Sequence, residues 1–447
     1  MNIKEEYIKF FESKNHDFLE PVSLVPDDDS TLFTSAGIQQ LVPYMVNEEI
    51  HPEGTRLTNY QKCLRLTDID NIGDSYHHTF FEMLGNWSMD DYFKQEVIQM
   101  SYEFLISVLK LDPNRLAVSV FAGGEDLPRD DEAAQIWESL GIPKSRIAYL
   151  GYDDNWWPSV HEKGPCGSDT EMFYFRSEDS VPKDFDPSDD RWVEIWNNVF
   201  IQFYRDDNMN LVPLKRRYID TGMGVERMTS ILNHLNDNYE SDLFKFSIEI
   251  IEKYSQKKYE DHKKNMRIIA DHIRAISMIC FDDQNIIPSN KDRGYVLRRL
   301  IRRLIIASNK LEVQDFGNYI DQLVNEVVLQ FKDFYPGIEK EQDRVVVIIL
   351  EEYNKFNKIL KSGKKRIQKA IDVLKENSLS KMDASIIFRL YETYGIPFDL
   401  TYSMLSEQGI SYDTSEVDSL FEQHRIHSKK SSTMFGSGLS KTKKITQ

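Results

Sequence analysis

The two halves of the chain carry different patterns of hydrophobic and polar residues. Up to about residue 240, apolar residues alternate with polar ones or run in short stretches between turn-forming clusters, which is typical of β-strands. The clearest predicted strands are residues 115–121, 170–175 and 192–204. A short amphipathic helix with Tyr7, Phe10 and Phe11 on one face precedes them. This pattern predicts a mostly antiparallel sheet flanked by helices.

From about residue 241 onward, apolar residues recur at the spacing of an α-helix. Positions i, i+3 and i+4 are apolar through residues 265–281, 293–309 and 344–377. We therefore predict an α+β chain with a mixed domain at 1–240, an all-helical domain at 241–427 and a disordered Ser/Lys/Thr-rich tail at 428–447. The Tyr335-Pro336-Gly337 breaker is a candidate for a second boundary.

The composition is that of a globular protein. Hydrophobic residues make up 40% of the 447 residues and charged residues 29%. No stretch approaches the roughly 20 apolar residues of a membrane span, and the N-terminus lacks the apolar core of a secretory signal. The three cysteines lie far apart, without the spacing of a zinc site. We expect a cytoplasmic protein without a membrane partner, a zinc site or a disulfide.

Charge divides the chain at the same place as the hydrophobic pattern. The net charge is -18, but residues 1–240 hold 21 basic and 44 acidic residues whereas residues 241–447 hold 34 and 29. This asymmetry fits one part that handles a small substrate and another that meets a polyanion. A solvated face without any partner would give the same numbers.

A glycine-containing segment, IDTGMGVERM at residues 219–228, gives the strongest local signal of a ligand site. Gly222 and Gly224 allow close backbone approach to a ligand, and a helix is predicted from Val225. Asp220 offers an anion for an ammonium group, and Arg227 offers a cation for a phosphate. The sequence has neither GxGxxG nor GxxxxGK[ST], so no Rossmann or P-loop cradle is supported. A strand-to-helix turn with a surface ion pair is the alternative.

A second candidate is the predicted hairpin at residues 61–84, in which two strand-like pieces flank an Asp/Asn/Gly turn. The hairpin would bring Arg65 beside His77, Phe80, Phe81 and Glu82. These groups are suited to bind a phosphate and to stack on a flat base. An aromatic core with a paired arginine is the alternative interpretation.

The third candidate is the turn-rich segment at residues 153–171, which carries the exposed-looking pair Trp156 and Trp157. Loops with this many specific side chains are often binding loops. Cys166 has no His/Asp pattern nearby, so a place in a tight turn is favoured over a nucleophilic role.

In order and spacing, these three segments resemble the catalytic domain of the alanyl-tRNA synthetases, a class II aminoacyl-tRNA synthetase family. Further matching segments are residues 23–37, 77–94, 194–203, 269–275, 288–303 and 389–401. The resemblance implies a six- or seven-stranded antiparallel sheet of the class II type. It also implies that the all-helical domain binds the acceptor stem of a tRNA.

The resemblance also implies roles for residues in the nucleotide site. Arg65 would bridge the α-phosphate of ATP and the carboxylate of alanine, and His77 and Arg227 would bind the γ-phosphate. Phe81 would stack on adenine, and Glu82 is assigned to the same site. Arg65, Arg227 and Asp220 are the candidate catalytic residues. Glu194 is the candidate Mg²⁺ ligand.

The same likeness implies a pocket for L-alanine and a surface for alanine tRNA. Asp220 would pair with the substrate ammonium, within a pocket formed by Trp157, Asn197, Val199 and Gly222. The phosphates of the acceptor stem would meet one side of a helix that carries Arg298, Arg299, Arg302 and Arg303. A salt-bridged face is the alternative for these arginines. Asn290 and Glu392 would read base-pair identity.

The predicted function is therefore an alanine:tRNA ligase that uses ATP and Mg²⁺. A related enzyme that passes a small amino acid to an acceptor other than tRNA, and a non-catalytic tRNA-binding protein, are the alternatives. The chain differs from the family in a short turn after Arg65 and in Glu392, where aspartate is typical. It also stops before the family's editing and C-terminal domains, so we expect a monomer and a separate editing protein.

Overall fold

A computed structural model describes residues 2–26, 31–67, 69, 71–125, 127–158, 163–421 and 423. The chain divides into two compact units, Met1–Ile349 and Leu350–Gln447. The predicted boundary near residue 240 falls inside the first unit, and the division of labour between the two predicted domains stays a prediction. The tail at 428–447 lies outside the described residues.

The first unit is built around one sheet. Its strands are β1 (Asp17–Phe18), β2 (Arg56–Leu64), β3 (Phe80–Met89), β4 (Leu116–Phe121), β5 (Ile147–Leu150), β6 (Trp156–Trp157), β7 (Gly164–Phe175), β8 (Trp192–Arg205) and β9 (Leu211–Gly224). The strand order is β1-β2-β3-β9-β8-β7-β4-β5, and β6 pairs with β7. Only β1 with β2 and β4 with β5 are parallel in the described part of the sheet.

This sheet confirms the predicted fold class and corrects one detail. The described residues form nine strands, where the resemblance implied six or seven. The difference comes from β1 and β6, which are two residues long. The three strands predicted from the alternation of apolar residues correspond to β4, the second half of β7, and β8.

The other main elements among the described residues are helices. They are α1 (Ile3–Ser13), α2 (Val42–Asn47), α3 (Lys94–Glu103), α4 (Asp131–Ser139), α5 (Val225–Leu232), α6 (Asp242–Ser255), α7 (Tyr259–Cys280), α8 (Asp292–Lys310), α9 (Phe316–Phe331), α10 (Gln342–Glu376), α11 (Ala384–Tyr394) and α12 (Phe398–Glu407). The three predicted helices are α7, α8 and α10, and α7 begins six residues earlier than the apolar spacing indicated. None of the described helices is long and apolar enough to span a bilayer.

One face of the sheet packs against helices and forms the main core. Trp196 and Phe200 of β8 are fully buried there, together with Tyr7 and Phe11 of α1. Burying one such large side chain stabilises the fold by about 2–3 kcal/mol. The Asn2 side chain caps α1 by accepting a hydrogen bond from the backbone of Lys4. The amphipathic face predicted for α1 is confirmed.

Because side chains alternate along a strand, the other face of the sheet presents a second set of residues. In β3, Phe80 and Leu84 are buried in the hydrophobic core, whereas Phe81 and Met83 line a cavity. The site described below lies on this second face.

Helix α7 is buried on all sides through most of its second half, as expected for a helix inside a core. It packs against α6, α8 and α9, and it also contacts β3. Its polar residues Asp271, His272 and Arg274 are each at most 1% exposed.

The second unit has a hydrophobic core of its own. Ile371 of α10, Ile387 of α11 and Leu405 of α12 are buried in it. A short bridge between Lys381 and Ser411 links the segments that precede α11 and follow α12.

Candidate active site

A cavity of about 250 Å³ opens where β3, β8 and β9 meet the segment that joins β2 to β3. Six of the residues predicted from the sequence line this cavity: Arg65, His77, Phe81, Glu194, Gly222 and Arg227. They come from three separate parts of the chain: the hairpin, β8 and the glycine-containing segment. The structure therefore brings the hairpin and the glycine-containing segment together in one place.

Arg65 is held at the mouth of the predicted hairpin, which the pairing of β2 with β3 confirms. Its backbone N–H donates to the carbonyl of Thr79 at 3.0 Å, and its Nε donates to the carbonyl of Ser35 at 3.0 Å. The guanidinium carbon lies 5.2 Å from the centroid of the Phe81 ring. Arg65 thus presents a fixed positive charge beside an aromatic face.

Asp74 orients the ring of His77. One carboxylate oxygen of Asp74 accepts the backbone N–H of Tyr76 at 3.1 Å and of His77 at 2.9 Å, and the other contacts Nδ1 of His77. Burial alone would raise the pKa of Asp74, but hydrogen bonds from the backbone and ring of His77 hold it below its usual value. The Nε2 side of the His77 ring is therefore the edge available to a ligand.

Asp220 of β9 is a buried carboxylate, 7% exposed. It lies opposite Val199 of β8, and its Oδ1 accepts a 2.7 Å hydrogen bond from Nε1 of Trp87. Burial raises the pKa of Asp220 to about 7, although hydrogen bonds from Trp87 and Thr221 and the charge of Arg65 oppose that rise. No lysine or arginine among the described residues forms an ion pair with Asp220, so its negative charge is available to a substrate cation.

The residues predicted to enclose a small side chain lie next to Asp220. Val199 is buried in an apolar cluster, and Trp157 packs against this cluster. Asn197 of β8 lies opposite Gly222 of β9, which is two residues beyond Asp220. Val199, Asn197 and Gly222 therefore lie near Asp220 on the paired strands β8 and β9, and Trp157 of β6 packs against the cluster that contains Val199.

The structure corrects the predicted exposure of Trp156 and gives a reason why Cys166 is not a nucleophile. Trp156 is 5% exposed, so the expectation of an exposed pair is wrong for this residue. Burial raises the pKa of the Cys166 thiol to about 11, which keeps it protonated and speaks against a nucleophilic role. The neighbouring Gly167 is required because a Cβ there would lie 1.9 Å from the carbonyl oxygen of Phe200.

Arg227 and Glu194 both line the cavity and form an ion pair with each other. Nη1 of Arg227 donates to Oε2 of Glu194 at 2.9 Å and to the Glu194 carbonyl at 2.8 Å. Two further carboxylates, Asp169 and Glu171, lie near Glu194. Burial raises the pKa of both, and repulsion from Glu194 adds to the rise. Of these three carboxylates, Glu194 is the one that lines the cavity, and it is the one that pairs with Arg227.

The structure does not bring Glu82 to the cavity. Glu82 is 1% exposed on the opposite face of β3, where Nζ of Lys4 lies 2.8 Å and 2.9 Å from its two oxygens. The hydroxyl of Tyr335 donates to it at 2.7 Å. Its neighbour Phe81 faces the cavity, so the alternation of the strand turns Glu82 away.

The arginines of α8 are half-exposed. Arg298 bonds the carbonyl of Pro288 at 3.1 Å and contacts Oδ1 of Asn290. Nε of Arg303 donates to His272 at 3.0 Å, and its Nη2 donates to the carbonyl of Ile69 at 2.8 Å. The predicted helix is confirmed, and part of its basic face bonds to neighbouring protein groups.

The two residues predicted to read base pairs are both exposed and lie in different units. Asn290 precedes α8 in the first unit, and Glu392 lies on α11 in the second.

Sequence analysis missed several residues that line the cavity or support it. Met83 and His78 line the cavity, and so does Glu226, which is almost fully buried against Arg274 at 2.6 Å. The period of two along β3 was the available signal for Met83, given Phe81. No local signal pointed to Arg274, which lies 48 residues from its partner.

Comparisons with known proteins agree with this arrangement. The family described as "tRNA synthetases class II (A)" matches residues 2–446, so the chain is a class II tRNA synthetase by family. The alanine--tRNA ligase of Borrelia hermsii is 44% identical over 96% of this chain and 72% of that protein. The alanine--tRNA ligase of Treponema denticola is 42% identical over 98% of this chain and 74% of its own length. The chain belongs to the alanine--tRNA ligase family.

Other relatives are longer. The chain covers 48% of the alanine--tRNA ligase of Petrotoga mobilis, to which it is 39% identical. Among solved structures, the apo histidyl-tRNA synthetase of S. aureus aligns with 52% of this chain and 69% of that chain, with a TM-score of 0.34 and 10% identity.

Proposed function

We propose that this chain activates L-alanine with ATP and transfers the alanyl group to the 3′-terminal adenosine of alanine tRNA. The observation that carries this proposal is the placement of Arg65, His77, Phe81 and Arg227 around one cavity, with the buried carboxylate of Asp220 on the adjoining strand. One site thereby offers cations for phosphates, a ring for a base and an anion for an ammonium group.

Class II synthetases use ATP. In this cavity the base would stack on Phe81, on the ring face away from the Arg65 guanidinium. Arg65 would contact the α-phosphate, and His77 with Arg227 would contact the terminal phosphate. Each contact pairs a fixed donor with an anionic oxygen, which makes charge-assisted hydrogen bonds.

Class II synthetases also use Mg²⁺, and the residues here fit an ion that is bound mainly through the phosphates. Mg²⁺ is commonly held by one or two carboxylates together with substrate phosphates. Glu194 supplies one carboxylate at the edge of the cavity, beside Arg227. Glu194 would hold the ion, which supplies charge neutralisation on the phosphates when bound. The described residues contain no group of three or more His, Cys, Asp or Glu side chains placed to bind a metal without substrate.

Alanine would bind beside this nucleotide site. Its ammonium group would pair with Asp220, and its methyl group would meet Val199 and Trp157. Asn197 and Gly222 would complete the pocket on the paired strands β8 and β9. An ammonium bound at Asp220 favours the charged carboxylate, and so lowers a pKa that burial has raised.

The first chemical step needs positioning and charge stabilisation. A carboxylate oxygen of alanine attacks the α-phosphorus of ATP, and pyrophosphate leaves. Arg65 stabilises the negative charge that grows on the α-phosphate oxygens, where a preorganised cation is most effective. In the second step the 3′-terminal hydroxyl of the tRNA attacks the carbonyl carbon of alanyl-adenylate, and AMP leaves. Neither step needs a covalent enzyme intermediate.

The tRNA acceptor stem would approach the basic side of α8. Arg298, Arg299 and Arg302 would contact its phosphates, which position the RNA without reading its sequence. Asn290 and Glu392 would contact base edges in the minor groove, which is the accessible groove of an RNA helix. Arg303 is part of this predicted surface, but two of its nitrogens already bond to protein groups.

The test is aminoacylation of total tRNA by the purified chain, with each of the amino acids supplied in radiolabelled form. Label from alanine should become acid-precipitable with the RNA. Periodate-treated tRNA, which lacks the terminal diol, should accept no label and is the control for esterification. Transfer of a different amino acid, or no transfer at all, would contradict the proposal. The oligomeric state and a separate editing protein stay predictions.

A further inference from the structure

A continuous series of hydrogen bonds connects α8 to the backbone of Arg65. Nε of Arg303 donates to Nε2 of His272 at 3.0 Å, and Nδ1 of His272 lies 2.8 Å from Oδ2 of Asp271. Oδ1 of Asp271 accepts the backbone N–H of Thr79 at 2.8 Å. The carbonyl of Thr79 in turn accepts the backbone N–H of Arg65 at 3.0 Å.

The geometry fixes the direction of each bond in this series. The Nε of Arg303 is always a donor, so Nε2 of His272 is the acceptor and the ring proton sits on Nδ1. The ring therefore donates to Asp271. Burial lowers the pKa of His272, which favours this neutral tautomer. A neutral imidazole thus joins the positive charge of Arg303 to the negative charge of Asp271.

Asp271 and His272 are far too buried to meet a substrate themselves. They are 1% and 0% exposed. Burial alone would raise the pKa of Asp271, but the hydrogen bond from His272 holds it below its usual range. A carboxylate kept ionised in the interior bonds strongly to the N–H groups that face it, and one of these is the Thr79 amide.

The same helices hold the segment between Arg65 and His77 at two further points. Nη2 of Arg303 donates to the carbonyl of Ile69 at 2.8 Å, and Nη1 of Arg267 in α7 donates to the carbonyl of Gly73 at 3.1 Å. Helices α7 and α8 therefore hold this segment, which lies between two predicted phosphate ligands, at Ile69 and Gly73.

We propose that Arg303, His272 and Asp271 are positioning residues that set the place of Arg65 for amino-acid activation. This inference rests on the proposed function. It assigns Arg303 a role in amino-acid activation, whereas the sequence analysis assigned it only to tRNA binding. Arg65 would act mainly in the transition state. Misplacing it should therefore lower kcat for activation and leave the KM for ATP nearly unchanged.

The experiment compares Arg303→Ala with Lys310→Ala in alanine-dependent ATP/pyrophosphate exchange without tRNA. Lys310 is an exposed cation on the same helix, seven residues further on and hence on nearly the same side. Arg303→Ala should lower kcat about tenfold, because misplacing a catalytic group by a fraction of an ångström has effects of this size. Lys310→Ala should match the wild type. His272→Gln, which retains an acceptor near the position of Nε2, should recover part of the rate lost in His272→Ala.

A second readout does not depend on activity. Amide hydrogen exchange should accelerate at Thr79 and Arg65 in Arg303→Ala and stay at the wild-type rate in Lys310→Ala. This measurement separates the two claims. A wild type without pyrophosphate exchange would contradict the proposed function, and amide hydrogen exchange would still test whether Arg303 holds Thr79 and Arg65 in place.

Two results would overturn the positioning claim. One is an Arg303→Ala variant with wild-type pyrophosphate exchange and unchanged protection at Thr79, whatever happens to its tRNA charging. The other is a loss of protection across the whole first unit, together with a raised KM for ATP and no recovery in His272→Gln, which would indicate general destabilisation.

Discussion

The indole N–H of Trp87 donates a 2.7 Å hydrogen bond to the carboxylate of Asp220, and both side chains are buried. Trp87 lies on β3 and Asp220 on β9, so the bond crosses between neighbouring strands of the sheet. It stabilises the charged form of a carboxyl whose pKa burial has raised to about 7. The proposed ammonium site therefore depends on a residue that is not itself expected to touch alanine.

Replacing Trp87 by phenylalanine should weaken the binding of alanine. The change removes one hydrogen bond to a charged group, which contributes about 1.5–3 kcal/mol, so the KM for alanine should rise about tenfold or more. The KM for ATP should change little. Steady-state pyrophosphate exchange at varied alanine concentration measures both constants.

Trp137→Phe is the matched control for that variant. Trp137 is also fully buried, and its Nε1 bonds the hydroxyl of Thr170 at 2.9 Å, away from Asp220. It should lose stability without a change in the KM for alanine. An equal rise of KM in both variants would argue that Trp87 acts only through packing.

The affinity for alanine should depend on pH through Asp220. Because its pKa in the folded protein is raised to about 7, the carboxyl is increasingly protonated below that pH and cannot pair with an ammonium group. The value of kcat/KM for alanine should fall about tenfold for each pH unit below this pKa. A profile that stays flat between pH 6 and pH 8 would contradict this assignment.

The raised pKa of Asp220 should also make the free energy of unfolding depend on pH. Between the unfolded pKa of Asp220, near 4, and the folded value of about 7, the folded state binds more protons, so rising pH through this window lowers the free energy of unfolding. Asp220→Asn should therefore be more stable than the wild type above pH 7 and closer to it near pH 4. Urea titrations at several pH values test the sign, and a less stable variant at pH 8 would contradict it.

The buried ion pair of Glu226 and Arg274 should contribute strongly to folding. The two groups lie 2.6 Å apart and each is 1% exposed, so Arg274→Met would leave a carboxylate without its partner in the interior. We expect a loss of about 3–5 kcal/mol in the free energy of unfolding. Lys9→Met, which removes an exposed lysine, should leave the unfolding midpoint unchanged. Equal midpoints for both variants would show that Glu226 finds another partner.

Substitutions of Phe81 and Phe80 should distinguish the face of β3 that binds the base from the face that packs in the core. Stacking of an aromatic ring on a base contributes about 1–3 kcal/mol, so Phe81→Leu should raise the KM for ATP about tenfold. Phe80→Leu changes the adjacent residue in the same way on the opposite face, where Phe80 is 1% exposed in the core. It should lower the melting temperature and leave the KM for ATP unchanged. The reverse outcome would place the base on the other face of the sheet.

Much of the site was predictable because its parts are local in sequence. The hairpin with Arg65 and Phe81 follows from an alternating pattern around a turn, and the segment with Asp220 and Arg227 follows from its glycines. Glu82 shows where residue type alone misleads. The period of two that directs Phe81 to the cavity directs Glu82 away from it, toward Lys4.

What the sequence could not predict are the long-range contacts. The bond between Thr79 and Asp271 joins residues 192 positions apart, and the bond between Ile69 and Arg303 joins residues 234 apart. Helical spacing places four arginines on one side of α8, but it does not tell that Arg303 bonds to His272 and to the carbonyl of Ile69.

The most direct test is amino-acid-dependent ATP/pyrophosphate exchange with alanine, glycine and serine supplied separately to the wild type and to Asp220→Asn. We expect alanine to support exchange in the wild type. Glycine and serine should also support exchange, at a lower rate, because a pocket for one methyl group discriminates poorly against similar side chains. Asp220→Asn should lose exchange with all three. Wild-type protein without exchange for any of them, or an Asp220→Asn variant that exchanges as well as the wild type, would contradict the proposed site.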